Sequence, residues 1–153
     1  MKQEQTERPF LVQVRGLVER DIDLHDSDFF AGKVGPAVDV TPIVPTFSGK
    51  ATPISSVLET IRVKEEATHV IFHASDEFQA TLPREELTNA LLLFQQENGE
   101  PLRKGFPVRL LVPNGKSDCL NVKSVVKMEF VRLDDPKRES TFGFKNVVPA
   151  QEL

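Results

Sequence analysis

An Asn-Gly pair at residues 98–99 separates two apolar runs, and it constrains the fold of this chain more than any other feature. The Glu, Leu, Ala and Gln residues before it favour a long helix, whereas Asn-Gly favours the positive φ angles of a tight turn between strands. We therefore predict a short helical turn at residues 83–87, a strand at residues 91–97 and a partner strand at residues 106–112. This hairpin is typical of a β-rich domain.

Other short runs are rich in the residue types of strands or alternate apolar and polar residues. They are "PFLVQVRG", "THVIFHA", "DEFQATLP" and "VKSVVKMEFVRL". A short helix is predicted at "TPISSVLETIRV", with Thr52 as its cap and Pro53 at its first position. Four prolines within residues 34–53 suit edge strands and irregular loops. Together these elements predict an α+β fold, a mixed, mainly β domain with short helices.

The length of 153 residues suits one globular domain with its own core. We predict a single module over residues 1–133. Residues 134–153 are polar and predict a loosely packed C-terminal tail, although Phe142, Phe144 and Val147 could dock on the body.

The composition of the chain argues against several classes of protein. The single cysteine, Cys119, excludes an internal disulfide and a cysteine-based zinc site. No apolar run approaches the roughly 20 residues of a membrane-spanning helix. A net charge of −4 without a dense Lys/Arg run disfavours nucleic acid as a partner. The start, "MKQEQTERPF", is polar where a secretory signal would be apolar. We therefore expect a cytoplasmic protein that binds neither nucleic acid nor a membrane.

Motifs for catalysis or metal binding are scarce. The acidic segment "ERDIDLHDSDFFAG" lacks the glycine and glutamate positions of a calcium-binding hand. In a strand, His69 and His73 would lie on one face about 13 Å apart, which is too far to share a metal ion. No histidine lies near Cys119 in the sequence, so we expect that cysteine to be neither a nucleophile nor a metal ligand.

Arg109 is the one charged side chain in the predicted strand at residues 106–112. A guanidinium stays charged at physiological pH and requires water, a carboxylate or another anion around it. Alternation along a half-buried strand would direct Arg109 to solvent. A pocket would instead make it a ligand for phosphate, carboxylate or another oxyanion. The pattern alone leaves both interpretations open.

Three segments in order resemble the molybdopterin-binding domain of the sulfite oxidase family. They are "THVIFHASDEFQATLPREEL", "LLLFQQENGEPLRKGFPVRLLVP" and "NVKSVVKMEFV". They are similar to the family's H-V-x-F strand followed by an Asp, its N-G-E-P-L turn, its G-x-P-x-R strand and its closing V-K-W strand. This resemblance covers residues 67–131, and "FLVQVRGLVERDIDL" and "FSGKATPISSVLE" resemble the family more faintly. It implies the family's fold and molybdopterin as a possible cofactor.

The resemblance also implies site residues. In that family the arginine of the P-x-R strand faces the anion-binding pocket beside the metal, and the lysine of V-K-W lies near the pterin. Carried over, these residues are Arg109 and Lys123, and we expect them on neighbouring strands with their charged ends converging. Such a pair requires a compensating anion or carboxylate, for which Asp76 is the candidate.

The sequence departs from the family at several positions. The family's molybdenum is held by a cysteine ahead of a W-x-G segment, whereas residues 38–49 contain none, and Cys119 lies too far downstream to replace it. Lys104 stands where the family has a histidine, and Ser124 stands at the tryptophan of V-K-W. No metal ligand is therefore identified, and the resemblance points to a shortened, degenerate relative.

Three functions follow from this combination of resemblance and departure. The chain could be a small module that binds a pterin or another anionic ligand without redox turnover of its own. It could be a molybdopterin-dependent oxidoreductase whose metal ligand differs from the family's. It could also be a structural or protein-interaction domain, self-associating or with another partner, in which the pocket has closed.

Overall fold

The computed structural model of the protein describes residues 8–113 and 120–144, and short strands dominate it. In chain order the strands are β1 Leu11–Gly16, β2 Ile22–His25, β3 Val38–Asp39, β4 Lys50–Pro53, β5 His69–Ala74, β6 Phe78–Pro83, β7 Leu91–Gln95, β8 Arg109–Leu111, β9 Val125–Val131 and β10 Thr141–Phe144. The helices are α1 Asp26–Phe30, α2 Ile54–Ile61 and a 3-10 helix at Arg84–Leu87. The predicted α+β, mainly β fold is confirmed.

The strands form two sheets. The larger sheet has the order β10-β6-β5-β9-β1-β2, and the smaller has the order β3-β4-β7-β8. Neighbouring strands are antiparallel except β1 and β9, which pair in parallel. An isolated bridge between Val108 and Val125 joins the start of β8 to the start of β9 and so connects the two sheets. No helix in the described residues has the length and hydrophobicity needed to cross a membrane.

Two apolar cores stabilise this arrangement. The main core takes side chains from both sheets and from α1 and α2, such as Phe29, Val57, Phe72 and Leu110. A second, smaller core lies on the other face of the small sheet and contains Val40, Ala51, Leu91, Leu93, Leu102 and Leu111, with Val38, Val44 and Phe47 against them. The small sheet is thus covered on both faces. This explains why the four residues "LLLF" of β7 are all apolar and all buried.

The Asn-Gly turn forms as predicted, but the hairpin around it is interrupted. Gln96 N–H donates to Glu100 O at 2.8 Å, and Gly99 has a φ of 90°. Strand β7 first meets Pro101 through an isolated bridge and then pairs with β8. Residues 102–108 leave the hairpin between these two pairings. The predicted partner strand at residues 106–112 is therefore reduced to Arg109–Leu111.

Two local predictions differ from the structure. Helix α2 begins one residue later than predicted, because Pro53 is its N-cap and Thr52 pairs with Leu92 inside β4. The Thr52 hydroxyl is buried in that strand without a hydrogen-bond partner, so it does not cap the helix. The predicted helical turn at residues 83–87 is confirmed as the 3-10 helix Arg84–Leu87.

The predicted polar tail contains a strand. Residues Thr141–Phe144 form β10, which pairs antiparallel with β6 at the edge of the large sheet. Phe142 and Phe144 both contact the ring of Phe78 at centroid distances of 6.2 and 5.1 Å. This aromatic contact gives the segment a packing partner, so Phe142 and Phe144 dock on the large sheet, which the sequence had left open. Val147 lies outside the described residues.

Candidate functional site

Arg109 is the first residue of β8. Its side chain lies on the face of the small sheet that carries the second core. Side chains alternate along a strand, and Leu110 belongs to the main core whereas Leu111 belongs to the second. Arg109 therefore shares its face with Leu111, and Leu93 is its partner across β7. The Arg109 side chain is half-buried. The guanidinium thus stands at the border of an apolar cluster.

Phe47 covers the Arg109 guanidinium. The guanidinium carbon lies 4.7 Å from the centroid of the Phe47 ring, a cation–π distance. Phe47 ends a loop that folds back on itself, since Thr41 Oγ1 donates to Phe47 O at 2.9 Å and Phe47 N–H donates to Val44 O at 2.9 Å. The ring is positioned by this loop and by the second core beneath it.

The guanidinium of Arg109 has no carboxylate partner among the described residues. Its Nε is buried and makes no hydrogen bond. Neither terminal nitrogen is buried, and neither has a hydrogen-bond partner among the described residues. Burial lowers the pKa of Arg109 below its usual value, because desolvation penalises the charged form. The end of the fork is therefore free to bind an anion that approaches from solvent.

Lys123 belongs to a segment that runs beside β8, and the predicted convergence of its charged end with that of Arg109 stays a prediction. The Val108–Val125 bridge and a hydrogen bond from Leu110 N–H to Val122 O at 2.9 Å place residues 122–125 along the free edge of β8. Lys123 is exposed in a bend that precedes β9, and not within a strand as predicted. Lys123 therefore lies beside β8 in a bend, and not on a neighbouring strand.

Gly105 and Ser124 connect the two segments that carry Arg109 and Lys123. A Cβ on Gly105 would lie 3.5 Å from the Arg109 Cβ and 3.8 Å from the Lys123 Cβ, so the glycine sits between the two side chains. Ser124 N–H donates to Gly105 O at 3.2 Å. Ser124 also has a φ of 56°, an unusual conformation for a residue with a side chain. Both residues stand in the family motifs quoted above, Gly105 in G-x-P-x-R and Ser124 at the tryptophan of V-K-W, but neither motif indicated their contact.

Asp76 is near this site but does not pair with it. It lies in the turn between β5 and β6, whose Ser75 N–H donates to Ser124 O at 3.0 Å. The Asp76 Oδ1 accepts a hydrogen bond from Phe78 N–H at 3.1 Å, and the carboxylate forms no ion pair with Arg109 or Lys123. Asp76 thus stabilises its own turn, and the proposed charge compensation has no contact in the structure.

Metal ligands are not assembled within the described residues. No three His, Cys, Asp or Glu side chains there come close enough to hold a metal ion. His69 and His73 both lie on β5, and both rings make hydrogen bonds, His69 with Thr68 and Arg138 and His73 with Glu129. Cys119 lies outside the described residues, so the expectation that it is neither ligand nor nucleophile stays a prediction.

Comparison with known families decides the identity of the domain. The family model described as "Oxidoreductase molybdopterin binding domain" matches residues 45–139, which is more than half of the chain. The chain belongs to this family. The match includes Phe47, Gly105, Arg109 and Lys123. A comparison with curated proteins finds no match.

A solved structure shows the same fold. The sulfane dehydrogenase SoxCD from Paracoccus pantotrophus superposes with a TM-score of 0.58 at 22% sequence identity. The alignment covers 85% of this chain and 39% of that chain. This molybdopterin-domain protein therefore corresponds to well under half the length of the SoxCD chain. At this identity the likeness concerns the fold alone.

The residues of this family member fit one part of the family's cofactor and not the other. In this family a cysteine thiolate binds the molybdenum. Residues 38–49 contain hydroxyl, carboxylate and apolar side chains but no cysteine. Anionic groups require cations and hydrogen-bond donors, which Arg109 and Lys123 offer side by side. The described residues thus fit an oxyanion or a pterin phosphate better than they fit the metal.

Proposed function

We propose that this molybdopterin-domain protein binds a small anionic ligand at Arg109 and Lys123 and has no molybdenum redox turnover of its own. The ligand is an oxyanion such as phosphate or sulfate, or the phosphate of a pterin, which presents the same chemistry. The observation that carries the proposal is the Arg109 guanidinium, whose terminal nitrogens are solvent-accessible, adjacent to Lys123 and unpaired with any described carboxylate.

The energetics support this assignment. Two adjacent cations repel each other, and the partial burial of Arg109 strengthens that repulsion because it lowers the local dielectric. The buried, unpaired Nε adds a further cost of about 1–3 kcal/mol. A purely structural role would favour an apolar side chain here, since Leu93 and Leu111 already line the same face. An anion bound at the two terminal nitrogens offsets the repulsion between the cations, although it leaves Nε unpaired, and it gives the arginine a function.

Thermal melts with and without millimolar phosphate or sulfate test the proposal. A ligand bound only by the native state raises the melting temperature by mass action, and at 100 times its Kd it contributes about 2.7 kcal/mol. We expect wild type to gain stability and Arg109→Met to lose that gain. Because Met is apolar, Arg109→Met should be at least as stable as wild type without anion.

Arg20→Met is the matched control. Arg20 is exposed between β1 and β2. The end of β1, at Gly16, pairs with Phe130 near the end of β9, whereas Lys123 precedes the start of β9. Arg20 therefore follows one end of this strand pair and Lys123 precedes the other. Sulfate stabilises most proteins by exclusion from their surfaces, so only the difference between the variants is informative. Equal stabilisation of wild type and Arg109→Met would contradict anion binding and favour the closed-pocket, structural alternative.

A further inference from the structure

Three further cations surround the Arg109 and Lys123 pair. Arg103 and Lys104 are exposed and directly precede Gly105, where an added Cβ would lie 3.5 Å from the Arg109 Cβ and 3.8 Å from the Lys123 Cβ. The guanidinium carbon of Arg8 lies 3.7 Å from the ring centroid of Phe106, the residue after Gly105. We call Arg8, Arg103, Lys104, Arg109 and Lys123 the basic cluster. All five are located around one short turn.

Some cations of this protein form ion pairs, and others, such as Arg20 and Arg132, form none with a described carboxylate. Arg15 pairs with Asp23 at 3.0 Å, Lys50 with Asp39 at 2.7 Å and Arg62 with Glu19 at 3.8 Å. No member of the cluster has a carboxylate within ion-pair distance in the part of the chain that the structure describes. The sequence contains 23 Asp and Glu against 19 Lys and Arg, so carboxylates are plentiful elsewhere. The cluster is a local excess of positive charge on an acidic chain.

We infer that the ligand of this site carries a diphosphate group. The inference rests on the proposed function and specifies its ligand class. One tetrahedral anion at the Arg109 fork can contact Arg109 and Lys123, but it leaves the charge of the Arg103–Lys104 turn uncompensated. A second, linked phosphate extends across Gly105, which has no side chain to obstruct it, toward that turn. A polymeric nucleic acid fits less well, because the chain carries a net charge of −4 and the cluster spans only one short turn.

Burial of the Arg109 Nε restricts the orientation in which a phosphate can bind. Because Nε is buried beneath the Phe47 loop, Arg109 presents only its two terminal nitrogens. A phosphate therefore binds end-on, with one oxygen for each terminal nitrogen, and its bridging oxygen points away from β8.

Titration with orthophosphate and pyrophosphate, in chelator and at constant ionic strength, tests the inference. We expect pyrophosphate to bind wild type with a Kd at least about tenfold below that of orthophosphate. In Arg103→Gln/Lys104→Gln the ratio of the two Kd values should fall to about one, because the second phosphate loses its partners. The control, Arg20→Gln/Arg132→Gln, removes the same charge at exposed positions outside the cluster and should keep the wild-type ratio.

The outcomes separate the two proposals. Equal Kd values for the two anions in wild type, with binding lost in Arg109→Met, would overturn the diphosphate inference and leave the proposed function intact. No binding of either anion to wild type would overturn both. Tighter binding of a single-stranded oligonucleotide than of pyrophosphate, with a steep salt dependence, would show a polymer site and overturn the inference as well.

Discussion

His69 is fully buried in the large sheet, and both nitrogens of its ring have partners. Its Nε2 lies 2.8 Å from Arg138 O, and because a carbonyl only accepts, Nε2 carries the proton. Its Nδ1 therefore accepts from the Thr68 hydroxyl at 2.7 Å, and Thr68 Oγ1 accepts from Leu133 N–H at 3.0 Å. This network attaches the connection between β9 and β10 to the sheet.

Thr68→Val tests the network at the scale of one hydroxyl. The substitution keeps the shape of the side chain but leaves Nδ1 of His69 and Leu133 N–H without their partner. We expect a loss of about 1–3 kcal/mol in the free energy of unfolding, measured by urea denaturation with an unchanged m-value. Thr60→Val is the control, since Thr60 is exposed on α2, and it should change stability by less than about 0.5 kcal/mol. Equal effects of the two substitutions would show that the network contributes nothing.

The surroundings of Arg109 show which parts of a site can be predicted from the sequence and which cannot. A charged residue inside an apolar run identified Arg109, and the family resemblance identified Lys123. Neither could reveal Phe47, because the ring reaches Arg109 through a loop 62 positions earlier in the chain. The bond that ties Ser124 to Gly105 is equally non-local. Contacts of this kind depend on how the two sheets meet, and local propensities do not encode that.

At the scale of elements, Gly49 connects the Phe47 loop to the small sheet. Its φ is 113°, and a Cβ there would overlap the backbone oxygen of Gln95 in β7. Its carbonyl accepts from Val40 N–H at 3.0 Å, and the register between β4 and β7 shifts immediately after it. A glycine is therefore required where the loop joins β4.

Gly49→Ala should separate β4 from β7. We expect a loss of about 2–4 kcal/mol in stability, from the backbone strain and the steric overlap together. Gly143→Ala in β10 is the matched control, since its Cβ would meet nothing within 4 Å, and it should stay within about 0.5 kcal/mol of wild type. Denaturant unfolding of both variants measures the difference. A Gly49→Ala protein as stable as Gly143→Ala would contradict the close approach of this turn to β7.

Most elements of this protein follow from local sequence, and their bounds show the limits of that relation. The Asn-Gly turn, the helical turn after Pro83 and the strands β1, β5, β6, β7 and β9 carry clear local signals. Strands β2, β3 and β10 do not, because each is short and depends on a neighbour for its hydrogen bonds. The interruption of the hairpin at residues 102–108 also has a tertiary cause, since Val108 pairs with Val125 in the other sheet.

At the scale of the whole molecule, the family of this chain and the side chains available as metal ligands lead to opposite expectations about whether molybdenum binds. Membership of the molybdopterin-binding domain family suggests the cofactor. The loop that supplies the thiolate in the family contains no cysteine here. Its backbone is held by hydrogen bonds from the N–H groups of Val40, Val44 and Phe47, and these three side chains pack in the second core. Ligand type decides whether a soft metal site forms, and the fold alone does not supply the ligand.

We therefore expect the protein to contain far less than one molybdenum per chain when it is purified from a host that makes the cofactor. Elemental analysis after gel filtration measures the metal, and pterin fluorescence of the same sample measures the organic part separately. Pterin without stoichiometric metal would agree with a site that retains the anion-binding residues and lacks the thiolate. Stoichiometric molybdenum that survives gel filtration would contradict this expectation and favour the oxidoreductase, with a ligand other than residues 38–49. Because the metal and the pterin are measured independently, loss of one does not conceal the presence of the other.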